Sequence, residues 1–144
     1  MTAAGYDLMP DTAAETRLQT IFRRENRSLL QYVRQAAPWA DQPDRDRLKR
    51  VYELADAELD ALGELATFLD AHHVPLPNLG AFPTEFTDHN FIALRKLLPL
   101  LIDDHRSGVN QLQNDCAALT GPPRAVVDRL LEAKRKHVAE LESL

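Results

Sequence analysis

The chain has 144 residues, of which 44% are hydrophobic and 27% charged, with a formal net charge of -5 at neutral pH. That is enough chain for one soluble domain with its own core, and too much apolar content for a disordered polymer. The acidic balance excludes nucleic acid or an anionic membrane surface as the expected main partner, and basic runs such as Arg23-Arg24 and Lys134-Arg135-Lys136 lie among Glu and Asp, as solvated helix faces do.

In chain order, residues 1-11 read as a flexible lead without the basic patch and apolar run of a signal peptide. Thr12-Ala13-Ala14-Glu15 matches a capping box and opens a helix expected from Thr12 to Ala37, with Leu18, Phe22, Leu29 and Val33 on one face. Pro38 ends it. The short link 38-43 predicts that the next helix returns antiparallel.

The second helix is expected from Asp44 to Ala71, where Leu48, Val51, Ala55, Leu62, Leu65 and Leu69 recur at three and four residues. His72-His73 closes it, where imidazole complements the carbonyl end of the helix. The segment 72-86 carries Pro75, Pro77, Gly80 and Pro83 together with Val74, Leu76, Leu79 and Phe82, so it reads as an ordered connection packed on the helices. Fully extended, its fifteen residues reach roughly 50 Å, about the length of a thirty-residue helix. It can therefore traverse the full height of the domain and set the third helix parallel to the second; a tight return is the alternative.

The third helix is expected from Thr87 to Ala118, started by Asp88-His89. Phe91, Leu94, Leu98, Leu101, His105, Leu112 and Leu119 share a face, and Pro99 is expected to kink it. Thr120-Gly121-Pro122-Pro123 separates it from a last helix with Val127, Leu130, Leu141 and Leu144 spaced around Lys134 and His137. The expected fold is all-α: one four-helix bundle over residues 1-144 with a long ordered connection between its second and third helices.

Cys116 stands alone, which excludes an intramolecular disulfide and a cysteine zinc site, suits a reducing cytoplasm, and leaves it as a small core residue. The apolar run 97-102 is far too short to cross a bilayer. Phosphate loops, nucleophile elbows and His-Glu-x-x-His are missing from the sequence, and no His-x-x-x-Glu pattern supports a hemerythrin-like site.

Polar residues interrupt each stripe: Glu25 between Phe22 and Leu29, Glu58 between Ala55 and Leu62, His105 below Leu101 with Asp104 beside it, and Lys134 with His137. A charge in a core stripe needs a partner, a metal or a route to water. In the alternative reading Glu25 and Glu58 sit at the stripe edge and reach water, His105 is a partly exposed helix residue, and His137 yields the core position to Val138.

The segment Glu25-Asn26-Arg27-Ser28-Leu29-Leu30-Gln31-Tyr32 resembles the first helix of bacterioferritins, rubrerythrins and related ferritin-like proteins, in which a metal-ligand Glu precedes a Gln-Tyr pair. Glu58 follows Glu25 by 33 residues and His137 follows Glu58 by 79, separations similar to that family's ligand spacing. Residues 136-142 resemble its last metal-binding turn, and Leu76-Pro77-Asn78 resembles the stretch after its second helix.

The departures are as specific. A ferritin-like di-iron site takes Glu-x-x-His from two helices and a Glu from each of the others. Here Glu58-Leu59-Asp60-Ala61 lacks the His, Lys134-Arg135-Lys136-His137 has Lys for Glu, and Leu101 stands where the third helix would supply a carboxylate. The resemblance thus implies a ferritin-like bundle without ferroxidase or oxygenase chemistry, with the Lys134 ammonium pairing with Glu25 and Glu58 in place of the cations, and Tyr32 and His137 completing the network. No cofactor is then expected, and the chain is expected to work as an interaction protein, as a homodimer or with another protein. A cage is not expected, since no fifth helix follows the last. The alternative is a metal protein holding one iron, zinc or manganese ion with Glu25, Glu58, His105 and His137.

Overall fold

The computed structural model of the protein describes residues 11-144, so all of the predicted lead except Asp11 lies outside the described residues. Among these the chain is all-helical: α1 (Thr12–Asn26), α2 (Leu29–Ala36), α3 (Arg45–Ala71), α4 (Leu94–Ala117) and α5 (Gly121–Ser143), with short 3-10 turns at Gln42–Asp44 and Thr84–His89. Among the described residues no helix is long and apolar enough to cross a membrane.

The first cap lies one residue earlier than the capping box predicts: the Ala14 amide donates to Asp11 Oδ1 at 2.7 Å. The helix expected to run unbroken to Ala37 instead divides at Arg27-Ser28. The Ser28 hydroxyl accepts from the Gln31 amide and caps α2, while the Leu29 amide donates to Asp104 Oδ2 at 2.9 Å. Orphaned amides of a new helix start are thereby satisfied from within and from α4, which lets the chain break and restart.

The third predicted helix also needs correcting. It begins at Leu94, not Thr87, because the backbone of 90-94 is spent on the end of α2: the Phe91 amide donates to Ala36 O at 2.8 Å and the Leu94 amide to Trp39 O at 3.0 Å. Phe91 leaves the core face, with φ 60 and 70% exposure. From Leu94 the helix continues through Pro99 without interruption.

The connection between α3 and α4 runs the height of the molecule along α1. Gln19 Nε2 donates to Pro75 O at 2.8 Å, Arg23 Nε to Asn78 O at 2.9 Å and Arg27 Nε to Gly80 O at 2.9 Å. These donors recur every four residues along α1 and its C-cap, so they share a face and step up it as the connection climbs. Phe82 and Phe86 then pack on Tyr32, with ring centroids at 5.2 and 5.7 Å. Since α4 starts beside the end of α2, it runs parallel to α3.

Helices α1 and α2 pack in succession on α3 and α4, and α5 packs on the same two helices from the other side. The core is divided in two. One apolar cluster joins Leu18, Ile21, Leu65, Leu112, Cys116 and Leu130. The other joins Leu30, Val33, Leu54, Leu97, Leu101 and Leu141. Burial, then a contact with Asp128, pushes the Cys116 thiol up to about 12, which makes it a packing residue rather than a nucleophile.

Ala37 ends α2 in the left-handed region, at φ 48, where a Cβ is strained. Replacing Ala37 by Gly should raise the free energy of unfolding by about 0.5-1 kcal/mol, since only Gly adopts this conformation without steric cost; urea denaturation of the two proteins measures it.

Candidate functional site

Between the two apolar clusters lies a polar layer. Glu25 comes from the last turn of α1, Glu58 from the middle of α3, His105 from α4, and Lys134 and His137 from α5; all five are buried. Lys134 Nζ donates to Glu25 Oε1 at 2.7 Å and to Glu58 Oε2 at 3.2 Å. Three of the residues singled out in the sequence thus meet as a carboxylate–ammonium–carboxylate bridge.

Each carboxylate has further partners. Glu58 Oε1 accepts from the Ser28 hydroxyl at 2.7 Å and from Gln31 Nε2 at 2.8 Å. Glu25 Oε2 accepts from Arg24 Nε at 3.0 Å, and Asp115 on α4 accepts from both Arg24 and Arg17. Three cations and three carboxylates (Arg17, Asp115, Arg24, Glu25, Lys134, Glu58) therefore alternate from the surface to the centre, and each of these six has an opposite charge beside it. Burial draws Lys134 toward its neutral form, but the charges of Glu58 and Glu25 outweigh that, so its pKa stands above the ordinary lysine value.

Gly108 on α4 makes the geometry possible. A Cβ there would sit 2.4 Å from Lys134 Cε and 3.0 Å from Nζ. The stem of Lys134 thus crosses a surface that only glycine leaves open.

His105 has no exposed surface, and its Nε2 lies 3.3 Å from Glu58 Oε2 without the alignment of a hydrogen bond. Burial, then the Lys134 ammonium, hold its pKa well below the usual 6.5. His137 is lowered by the same leading cause. It borders a small crevice shared with Glu25, Glu58 and Lys134. Asp104 is raised, burial outweighing the hydrogen bond from the Leu29 amide and the attraction of Lys134.

Tyr32 lies outside the layer. Its hydroxyl donates to Asn90 Oδ1 at 2.9 Å, because the helix restart at Ser28 aims Gln31, rather than Tyr32, at Glu58. Ser28, Gln31, Gly108 and the Arg24–Asp115 pair are the participants that the sequence reading passed over. Ser28-Leu29-Leu30-Gln31 carries the Ser-x-x-Gln signature of a helix start and could have disclosed the first two. A glycine inside a helical pattern could have flagged Gly108. No local signal joins Arg24 to Asp115.

The set Glu25, Glu58, His105 and His137 does not fit a metal ion. Among the described residues no three His, Cys, Asp or Glu side chains converge closely enough to hold one, because the Lys134 ammonium takes the space between the two carboxylates. At the end of α3, His72 Nδ1 lies 2.9 Å from Phe68 O and its ring stacks on Phe68, which accounts for it as a cap. Comparison with protein-family models, with curated protein sequences and with solved structures returned no match.

Removing the ammonium should be worse than removing the whole Glu25–Lys134–Glu58 bridge. Lys134→Met is expected to cost about 3-5 kcal/mol of stability, because two buried carboxylates lose their counter-charge, and Gly108→Ala should do similar damage by displacing the Lys134 stem. Glu25→Gln, Glu58→Gln and Lys134→Met combined should cost less than Lys134→Met alone; denaturant titration of the three proteins decides it.

The histidines set an acid limit. Their folded pKa values lie below 6.5, so the unfolded chain binds protons that the folded chain refuses. Stability is fully present above that pH and falls as pH drops through it. Asp104, whose folded pKa is raised, acts with the opposite sign. In His105→Leu the decline in melting temperature between pH 7 and pH 5 should flatten.

Proposed function

We propose that the chain is a ferritin-like four-helix bundle in which a fixed ammonium stands in place of the metal ions, and that it acts without catalysis as an interaction domain, paired with a second copy or with another protein. The observation that carries this reading is the position of Lys134 Nζ, within 2.7 Å of one inward carboxylate and 3.2 Å of the other. In a metal-bearing bundle of this kind, cations relieve the repulsion between inward carboxylates. A lysine is a permanent substitute with a single charge, no open coordination position and no redox chemistry.

The packing order supports the reading as well. Taking α1 and α2 as one column, α3 and α4 lie diagonally, run parallel, and are joined by a connection of full height. A bundle of alternating up and down helices would instead place them side by side and antiparallel. Trp39 and Phe91, 52% and 70% exposed, stand together where α2 ends and α4 begins, and supply aromatic surface of the sort that protein interfaces favour.

Elemental analysis of the purified protein beside Lys134→Glu tests the proposal. The native chain should carry no stoichiometric iron, zinc or manganese, and chelation should leave its melting temperature unchanged. The variant should acquire metal, because it restores a carboxylate three residues before His137. One ion per native chain would overturn the reading in favour of a metal protein with an altered Glu/His set.

A further inference from the structure

Beside the buried layer, a cleft of about 510 Å3 opens between α1, the climbing connection and α4, with Gly108 and Lys134 at its inner end. That volume is within the range of small-molecule sites. One wall is apolar, formed by Leu79, Ala81, Pro83 and Phe86 of the connection. The other is cationic, with Arg23 and Arg24 in the last turn of α1 and Arg27 at its C-cap.

The guanidinium groups are held in place rather than free to swing. Arg23 and Arg27 each spend Nε on a carbonyl of the connection, at 2.9 Å, and Arg27 also lies 4.5 Å from the Phe82 ring centroid. Among the described residues, neither terminal nitrogen of Arg23 donates to a protein acceptor. Arg27 Nη1 donates to Asn26 O at 3.3 Å, which leaves its Nη2. Fixed guanidinium groups with these remaining donors suit a carboxylate, whose two oxygens match the spacing of the fork. The wall opposite requires that the rest of the ligand be apolar.

The lining carries four cations, Arg23, Arg24, Arg27 and Lys134, against Glu25 and Asp104. Glu25 and Asp104 lie toward the inner end, where they repel a second negative charge on the ligand. A monoanion with its head at the arginines is therefore favoured over a dianion such as phosphate.

We propose that this cleft binds a small monocarboxylate with a short apolar body, its carboxylate on Arg23 and Arg27 and its hydrocarbon against Leu79, Ala81, Pro83 and Phe86. The site is separate from the Glu–Lys–Glu layer in its binding groups, so metal content neither supports nor weakens it.

The test is titration of the full 15N-labelled chain with the straight-chain carboxylates from butanoate to octanoate, with the corresponding uncharged amides, and with inorganic phosphate. Saturable shifts should appear at residues 23, 27, 79-86 and 107-111, with the acids binding about tenfold or more tighter than the amides, as one lost charge-assisted contact implies. Arg23→Ala should weaken the acids by about the same factor and leave the amides unchanged, and Ser107→Trp, which narrows the cleft from α4, should weaken both. The melting temperature of each variant checks that it is folded. Equal binding of acid and amide, unchanged acid binding in folded Arg23→Ala, tighter binding of phosphate than of any acid, or no saturable shift with any acid would each overturn the proposal.

Discussion

One ammonium group, sealed in the middle of the protein, sets the terms for everything around it. Glu25 and Glu58 point inward from different helices, and without Lys134 between them they would repel across a medium that screens poorly. With it, they become the two ends of a bridge that fixes α1 and α3 relative to α5. The bridge tolerates burial because its remaining lone pairs are used: Ser28 and Gln31 satisfy Glu58, and Arg24 satisfies Glu25. It also divides the hydrophobic core into an upper and a lower cluster, so apolar packing seals the layer from both sides.

Backbone geometry is fitted to that bridge. Gly108 removes the one side chain that would obstruct the lysine stem. The break at Arg27-Ser28 turns Ser28 and Gln31 toward Glu58, and Asp104 stabilises the break by accepting the Leu29 amide. The climbing connection matters for the same reason. By running alongside Gln19, Arg23 and Arg27 and delivering α4 to the end of α2, it sets α4 parallel to α3 and brings His105 to the height of Glu58. A short return would have inverted α4 and placed different residues opposite the bridge.

The periodicity of Val51, Leu62, Leu65 and Leu69 makes the long α3 legible from sequence, and Pro and Gly mark the connections. Glu25, Glu58 and Lys134 stand out because each interrupts an apolar stripe. What escapes the sequence is decided by contacts between distant segments. The predicted helix start from Thr87 to Ala93 has a plausible helical pattern, yet beyond the 3-10 turn at Thr84–His89 its backbone bonds to Ala36 and Trp39 instead, and Phe91, on the predicted core face, points outward. Tyr32 sits one residue from Gln31, and a helix that restarts at Ser28 gives the inward position to its neighbour. The pairing of Arg24 with Asp115, 91 residues apart, has no counterpart in any local pattern.

The side chain of Lys134 can be observed directly by 15N–1H spectroscopy of the lysine ammonium groups across a pH titration. A buried ammonium bridging two carboxylates should give a slowly exchanging resonance, distinct from the other lysines and still protonated above the ordinary value of 10.5. It should disappear in Lys134→Met alone among single lysine substitutions. An Nζ signal for Lys134 that exchanges with water as fast as a surface lysine and titrates with the rest would show that the bridge does not exist in solution.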